Sequence, residues 1–277
     1  MFRLFMYLMI TSISLFARMD YVSKEIFLSC ADLRVDEYSH FDARMVKEGS
    51  VVYVLPELLS YFFSYHHPKI TARYILVTHH YDYSTPGKFA YVLDDDKLIA
   101  WFAQNVDDFF HPKLHPIPIG IDSRNAKASK MYLFKFRNQD IKKKHLLYMN
   151  FSTKTNFAER GPVYTFFSAK PFCFSPKQRQ YEIYLKDLAS SFFVLSPRGA
   201  GLDCYRTWEA LYMGAIPVVK SSSLNPLYEG LPVIIIDQWE EVTEEFLEKK
   251  YQEIQSQTFN LEKLTQNYWY KLIRSYK

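Results

Sequence analysis

Short apolar runs of strand length alternate with polar and turn-forming stretches along most of the chain. In the first half these runs read IFLSC, VVYVL, YILVT and PIPIG, and in the second half they begin at His145, Phe192, Ile216 and Val233. No tight hairpin signal separates them, so the spacing favours parallel strands joined by crossovers. The pattern therefore predicts an α/β fold.

The stretch from Phe192 to Lys220 is predicted to form one β-α-β unit. Its apolar run leads into a loop of proline and glycine, which precedes Asp203 as the expected N-cap of a helix that stops at Gly214. A glycine loop at a helix N-terminus presents free backbone N–H groups, which favour phosphate. Arg198 lies in this loop, so the unit is a candidate anion site.

Arg206 and Glu209 lie three positions apart on the predicted helix and are expected to share a face with Asp203. A guanidinium can bind a diphosphate in a two-pronged manner, and a carboxylate can accept from two ribose hydroxyls. The same spacing also fits a surface ion pair beside a simple cap. The residues that a P-loop requires are missing, and Cys204 replaces a small residue of the dinucleotide fingerprint.

The string SPRGAGLDCYRTWEALYMGAIPVV resembles the C-terminal signature of exostosin-type glycosyltransferases. These are glycosyltransferase family 47 and its relatives, which include ribitol-phosphate xylosyltransferase-like proteins. The shared positions are Pro197, Arg198, Gly199, Arg206, Glu209, Ala210, Leu211, Pro217 and Val218. The resemblance implies a GT-B fold, in which two Rossmann-like parallel-sheet domains face a cleft, with C-terminal helices. It also implies a bound nucleotide sugar, with Arg198, Gly199 and Arg206 near its phosphates and Glu209 near its ribose.

His80 and Asp82 follow a predicted strand in the run LVTHHYD. Loops at the carboxyl ends of strands face the ligand crevice of an open α/β sheet, so this loop is placed to supply a general base. Histidine titrates near neutrality and could take a proton from a sugar hydroxyl. We therefore predict His80 and Asp82 as catalytic residues, with a purely solvated loop as the alternative.

Lys154 and Arg160 lie in the stretch NFSTKTNFAER, which follows the predicted strand at His145. If the second sheet is parallel, this stretch faces the same crevice as the Arg198 loop. Both residues are therefore predicted to add positive charge against the donor phosphates. The alternative is a surface pair of Glu159 and Arg160 at a helix start.

The acidic triplet 94–96 resembles the metal-binding acidic motif of the other major glycosyltransferase fold. It directly precedes LIAWFAQN, however, and is better interpreted as a capping, helix-starting or turn cluster. We therefore expect no metal and no cofactor other than a nucleotide-diphosphate sugar as donor, with a UDP-sugar favoured. Asn105 and the segment HPKLHPIPIGID also resemble the exostosin-related proteins, so the resemblance covers most of residues 70–245.

Charge and cysteine content exclude some classes of protein. The net charge of +4, from 34 basic and 30 acidic residues, is too mild to indicate a nucleic-acid partner. Cys30, Cys173 and Cys204 follow no metal-ligand spacing and are expected to be free thiols. The expected partners are a nucleotide sugar and a glycan or other hydroxyl acceptor.

Residues 1–19 combine a short basic head with an uncharged apolar run and are predicted to be a signal-like or anchor segment. A helix of this run is short for the roughly 30 Å hydrocarbon core of a bilayer. The segment favours the secretory pathway or membrane association, with a cytoplasmic location as the alternative.

We expect an N-terminal acceptor domain over residues 20–126, a charge-rich linker over 127–144 and a nucleotide-sugar-binding domain with terminal helices over 145–277. The resemblance, together with the candidate anion site, predicts a glycosyltransferase that moves a sugar from a nucleotide-diphosphate sugar to a hydroxyl acceptor. It also implies that the reaction is metal-independent and inverting. The alternative is a non-catalytic sugar-nucleotide or glycan-binding protein of the same fold. An NAD(P)-dependent oxidoreductase is disfavoured.

Overall fold

Two five-stranded parallel sheets form the framework of the protein in the computed structural model, which describes residues 20–122 and 126–277. The strands are β1 (Leu33–Val35), β2 (Ser50–Val54), β3 (Tyr74–Thr78), β4 (Leu98–Ala103), β5 (Leu114–Pro116), β6 (His145–Tyr148), β7 (Cys173–Phe174), β8 (Ser191–Leu195), β9 (Ile216–Lys220) and β10 (Ile234–Ile236). Their orders are β1-β2-β3-β4-β5 and β10-β9-β8-β6-β7. The predicted α/β class with two Rossmann-like parallel sheets is therefore confirmed.

Helices connect the strands and cover the sheets. They are α1 (Lys24–Cys30), α2 (Leu59–Tyr61), α3 (Ala126–Arg137), α4 (Phe157–Ser168), α5 (Tyr181–Ala189), α6 (Tyr205–Tyr212), α7 (Asn225–Tyr228), α8 (Glu244–Gln255) and α9 (Gln266–Arg274). A longer 3-10 segment, Gly87–Asp94, joins β3 to β4. No helix within the two described ranges is long and apolar enough to cross a membrane. The signal-like segment, residues 1–19, lies outside the described residues.

The central strands are buried on both faces. Every residue of β2 and of β3 is buried, and the two strands pair in register from Ser50 opposite Tyr74 to Tyr53 opposite Val77. This burial explains why both strands read as continuous apolar runs rather than as an alternation, because parallel sheets carry helices on both sides.

Two of the predicted strands differ from the structure. The run IFLSC lies in helix α1, where Ile26, Phe27 and Cys30 turn one face into the core. Short apolar runs of this length do not distinguish a strand from a buried helix. The run PIPIG overlaps β5 only at Pro116, and the structure places an unpredicted strand, β4, at LIAWFA after the acidic triplet.

The segment predicted as a charged linker, residues 127–144, contains most of helix α3. Leu133 and Phe136 of that helix are buried, and the helix packs against α5 and α6. Lys143 is not a solvated charge either, because its ammonium donates to the carbonyl oxygens of Ser191 and Gly214 at 2.7 Å each. The segment is therefore part of the packed second unit.

The last helix crosses back to the first sheet. Helix α9 packs against α1, and Arg274 and Lys277 bind the Asp32 carboxylate at 2.7 and 2.9 Å. The sequence predicts both terminal helices in the C-terminal domain. In the structure, α9 instead packs against the N-terminal unit.

We predict that Gly120→Ala destabilises the protein far more than Gly230→Ala. Both glycines have a positive φ, 70° and 79°, so both variants carry the strain of a left-handed residue, roughly 1–2 kcal/mol. A Cβ at Gly120 would also collide with the carbonyl oxygen of Val22, whereas none of the described atoms lies within 4 Å of a Cβ at Gly230. In urea denaturation, Gly120→Ala should lose at least about 2 kcal/mol more than its control. Equal losses would refute the close approach.

Candidate functional site

The strand order of the second sheet reverses between β6 and β8. Strand β7 lies on one side of β6, whereas β8, β9 and β10 continue towards the opposite edge. In open α/β sheets, ligands bind outside the carboxyl ends of the strands at such a reversal. Residues 149–156 follow β6 and residues 196–204 follow β8, so these two loops form the candidate site.

The Arg160 guanidinium, at the start of α4, joins the two loops. Its side chain makes hydrogen bonds of 2.7–3.5 Å from Nε, Nη1 and Nη2, which use all of its N–H groups. The acceptors are the carbonyl oxygens of Ser152, Pro197 and Arg198, the Thr155 hydroxyl and the Cys204 sulfur. Arg160 is buried at 5% exposure, so in this structure it holds the loops together rather than facing a phosphate.

Gly199 lies in the loop after β8 and Lys154 lies in the loop after β6, the two loops that Arg160 joins. A Cβ at Gly199 would lie 2.9 Å from Nη2 of Arg160, so the glycine allows the close approach. Its carbonyl oxygen accepts from the Asn156 side chain at 3.0 Å. Lys154 is exposed on the 3-10 turn Thr153–Thr155. The two loops therefore lie together, as the parallel sheet predicts, but Lys154 faces solvent.

Arg206 of helix α6 has an unused hydrogen-bond donor at the strand-order reversal. Its Nε donates to the Asn150 carbonyl oxygen at 3.1 Å, and its guanidinium carbon lies 5.2 Å from the centre of the Phe151 ring. Its Nη1 is buried and has no partner among the described residues. A buried donor without an acceptor is costly, so an anion or another acceptor at this position would be bound favourably.

Glu209 lies one turn further along α6 and is 4% exposed. Its Oε1 accepts from the Tyr181 hydroxyl at 2.9 Å, and its Oε2 accepts from the Tyr184 hydroxyl at 2.8 Å. Burial raises the pKa of Glu209, although both tyrosines and Arg206 oppose the shift. The ribose contact implied by the resemblance is not open in this structure and stays a prediction.

A cavity of about 330 Å³ lies between the carboxyl edges of the two sheets. The second sheet contributes Ser196, Arg198, Thr207, Lys220 and Ser221, and the loops of the first sheet contribute Ser84, Asp107 and Asp108. Arg206 and Glu209 are not part of its lining. The predicted cluster is therefore divided, with Arg198 in the cavity and Arg206 beside Glu209 at the strand-order reversal.

The predicted catalytic residues lie at the carboxyl edge of the first sheet but outside this lining. The backbone N–H of His80 donates to the Gln104 side chain at 2.9 Å, and its φ of 99° is positive. Burial lowers the pKa of His80. Asp82 is exposed. Their role as a base stays a prediction.

Asp203 is not the N-cap predicted for α6, because Cys204 takes that position. Its buried carboxylate instead accepts from the backbone N–H of Ile119 and from Nε1 of Trp208, both at 2.8 Å. In return, the backbone N–H of Asp203 donates to Asn105 Oδ1 at 2.9 Å. Asp203 therefore joins the loop after β8 to the first sheet and does not share the face of Arg206.

Sequence reasoning missed the cavity residues Asp107, Asp108 and Lys220. Lys220 is the last residue of β9, and the two aspartates follow β4 within a few residues. Their position after apolar strands is the same signal that singled out His80. The sequence analysis singles out Asn105 in the loop after β4, but it does not predict β4 as a strand and so gives no reason to place Asp107 and Asp108 at a strand end.

Comparison with known proteins supports the resemblance in the second unit. Residues 168–276 match the family model described as the RXYLT1 C-terminal domain, which confirms the similarity to ribitol-phosphate xylosyltransferase-like proteins over that part of the chain. The class indicated by this match is glycosyltransferase. No curated protein matches the chain. A solved structure, "Crystal structure of GtfA/B complex", aligns with this chain at 12% sequence identity and a TM-score of 0.37. The alignment covers 84% of this chain and 55% of the chain in that structure. This chain thus spans about 55% of that protein's length.

We predict that Arg160→Lys destabilises the protein by about 2–4 kcal/mol, because an ammonium cannot replace the planar fork across two loops. Arg198→Lys is the matched control. Arg198 is exposed, so its replacement should change stability by less than about 0.5 kcal/mol. Urea denaturation of the two variants measures the difference. Similar stabilities would show that the guanidinium does not hold the loops.

The pH dependence of stability should depend on Asp203. Burial raises the pKa of Asp203 from 3.8 to about 6, although several donors oppose the shift. Because the folded pKa exceeds the unfolded one, its contribution is fully present below pH 3.8 and is lost as pH rises through about 6. Relative to Asp203→Asn, the wild type should therefore lose up to about 3 kcal/mol of unfolding free energy between about pH 4 and 7. A difference that stays constant or grows with pH would contradict this assignment.

Proposed function

We propose that this chain is a glycosyltransferase that binds a nucleotide-diphosphate sugar at the carboxyl edge of its second sheet. The observation that best supports the proposal is the buried Nη1 of Arg206, which has no partner among the described residues and lies at the strand-order reversal. An arginine with a free donor in a buried position is suited to a phosphate oxygen.

The donor would extend from α6 into the cavity. Its ribose would lie beside Glu209. Its diphosphate would lie between Arg206 Nη1, residues 196–204 and the N-terminus of α6. The sugar would then enter the cavity that Arg198 lines. Arg198 and the helix N-terminus would stabilise the negative charge that develops on the departing diphosphate, which is the metal-independent route.

The acceptor would approach from the first sheet. The cavity is lined from both sheets, so a hydroxyl held by the loops after β3 and β4 would face a sugar held by the second sheet. Direct attack by that hydroxyl inverts the anomeric carbon. We therefore propose a glycan or another hydroxyl compound as the acceptor.

A non-catalytic sugar-nucleotide-binding protein is the second candidate. The closed arrangement of Glu209, whose two oxygens are held by Tyr181 and Tyr184, favours this candidate. It would bind the nucleotide through the same Arg206 without turning the sugar over. Turnover therefore separates the two functions.

Calorimetric titration with UDP, GDP and CMP tests the donor site. We expect UDP to bind with micromolar affinity and Arg206→Ala to weaken binding by about 1.5–3 kcal/mol, the range of charged hydrogen bonds. Arg44→Ala is the control, because Arg44 is exposed and its side chain pairs with Asp42. Thermal melting confirms that both variants fold. Binding that is absent, or equally strong in Arg206→Ala, would contradict the proposal.

Release of UDP from UDP-xylose, UDP-glucose and UDP-N-acetylglucosamine tests turnover. A glycosyltransferase is expected to release UDP slowly with water as the acceptor and faster with a suitable hydroxyl acceptor. Binding of UDP without release from any of these sugars would favour the binding protein.

A further inference from the structure

We propose that Asp107, rather than His80 or Asp82, is the general base that takes the proton from the acceptor. This inference rests on the proposed function and deepens it. It depends on four observations: the place of Asp107 in the cavity, the anchoring of its loop, the charges opposite it and the state of the other carboxylates.

The backbone around Asp107 is anchored on both sides. Its N–H donates to the Thr85 carbonyl oxygen at 2.8 Å, and Thr85 and Val106 form a parallel bridge. The Val106 carbonyl oxygen accepts from the Ser223 hydroxyl at 2.6 Å, which ties the loop to the segment after β9. The backbone N–H of Gly87 lies near the Asp107 carboxylate and lowers its pKa against the effect of burial. The side chain is therefore held at the junction of the two sheets.

The opposite wall of the cavity carries positive charge. Arg198 and Lys220 line the cavity from the second sheet, at the ends of β8 and β9. Asp107 lines the cavity from the first sheet, after the end of β4. In a direct displacement, the base and the leaving group lie on opposite sides of the anomeric carbon. A carboxylate from the first sheet facing cations from the second satisfies this requirement.

The other carboxylates in the lining are less suited to this role. Asp108 is exposed. Glu159 belongs to the second unit, on the donor side, and its Oε1 accepts from Nε1 of Trp239 at 2.8 Å. His80 and Asp82 do not line the cavity. Among the described residues, Asp107 is thus the half-buried carboxylate that faces the cavity from the acceptor side.

The protonation behaviour of Asp107 agrees with this role. Burial, followed by the negative charge of Asp108, raises the pKa of Asp107 above its ordinary value. The other charged groups that line the cavity are Glu159, Arg198 and Lys220. A base with a raised pKa has a larger driving force for proton transfer near neutrality.

The proposed step conserves atoms and charge. The acceptor oxygen attacks the anomeric carbon while its proton passes to the Asp107 carboxylate. The bond between that carbon and the diphosphate oxygen breaks, and its electron pair leaves with the nucleoside diphosphate. Water can take the place of the acceptor, in which case the products are the free sugar and UDP.

Asp107→Asn tests the base with a side chain of the same shape, because it removes the carboxylate charge and leaves the backbone bond from the Asp107 N–H to the Thr85 carbonyl oxygen in place. With UDP-xylose, UDP-glucose and UDP-N-acetylglucosamine as donors and water as the acceptor, we expect UDP release to fall at least about 100-fold. The UDP dissociation constant should stay within about twofold of the wild-type value. The melting temperature should stay within a few degrees of the wild-type value.

Asp108→Asn is the matched neighbour. Its maximal rate should fall much less than that of Asp107→Asn, because it removes a neighbouring charge and not the base, whose loss costs about 100-fold or more. The acidic limb of its pH profile should move to lower pH, because the repulsion that raises the pKa of Asp107 is removed. An unmoved limb would contradict the assignment of that limb to Asp107.

The remaining outcomes separate the base from the donor site. Full UDP release by Asp107→Asn, or a comparable loss in Asp82→Asn alone, overturns the role of Asp107. A wild-type protein that binds UDP but releases none from the three donors also overturns it and leaves the donor site standing. Failure of UDP to bind at all would instead remove the proposed function on which the inference rests.

Discussion

The buried carboxylate of Asp203 is the interaction on which the arrangement of the candidate site depends. It lies in the loop after β8, yet it accepts from the backbone N–H of Ile119 in the first unit. Asn105 receives the Asp203 N–H, and a Cβ on Gly201 would lie 2.6 Å from the Asn105 amide nitrogen. The loop that would contact the donor is thus also the contact between the sheets. A change in either unit is therefore expected to alter the cavity between the two sheets.

Two guanidinium groups, those of Arg160 and Arg206, lie close together at the candidate site and repel each other. The guanidinium carbons of Arg160 and Arg206 lie 5.6 and 5.2 Å from the centre of the same Phe151 ring. In sequence, Arg160 follows the first of the two loops and Arg206 follows the second. Burial lowers the pKa of Arg160, and repulsion from Arg206 lowers it further. An anionic ligand would relieve this repulsion at Arg206, whereas Arg160 has no N–H left to give. This difference assigns a structural role to one arginine and leaves the other for binding.

Much of the second unit could be predicted from the sequence because its signals are local. The strand from Phe192 lies within β8, the helix with Arg206 and Glu209 forms α6, and the stop at Gly214 precedes β9. The misassigned elements, α1 and β4, are apolar runs whose period does not separate helix from strand. The hydrogen bonds of the Arg160 guanidinium and of the Asp203 carboxylate join residues that are distant in sequence. Spacing along the chain therefore could not reveal them. The cavity was missed for the same reason, since its wall comes from both sheets.

The central claim is that Arg206 at the strand-order reversal contacts the phosphates of a nucleotide donor. A crystal structure of the protein with UDP tests it most directly. The account predicts a phosphate oxygen within hydrogen-bonding distance of Arg206 Nη1, about 2.7–3.2 Å, with the diphosphate against residues 196–204. UDP bound elsewhere, or an Arg206 Nη1 that stays without a ligand partner in the complex, would contradict it.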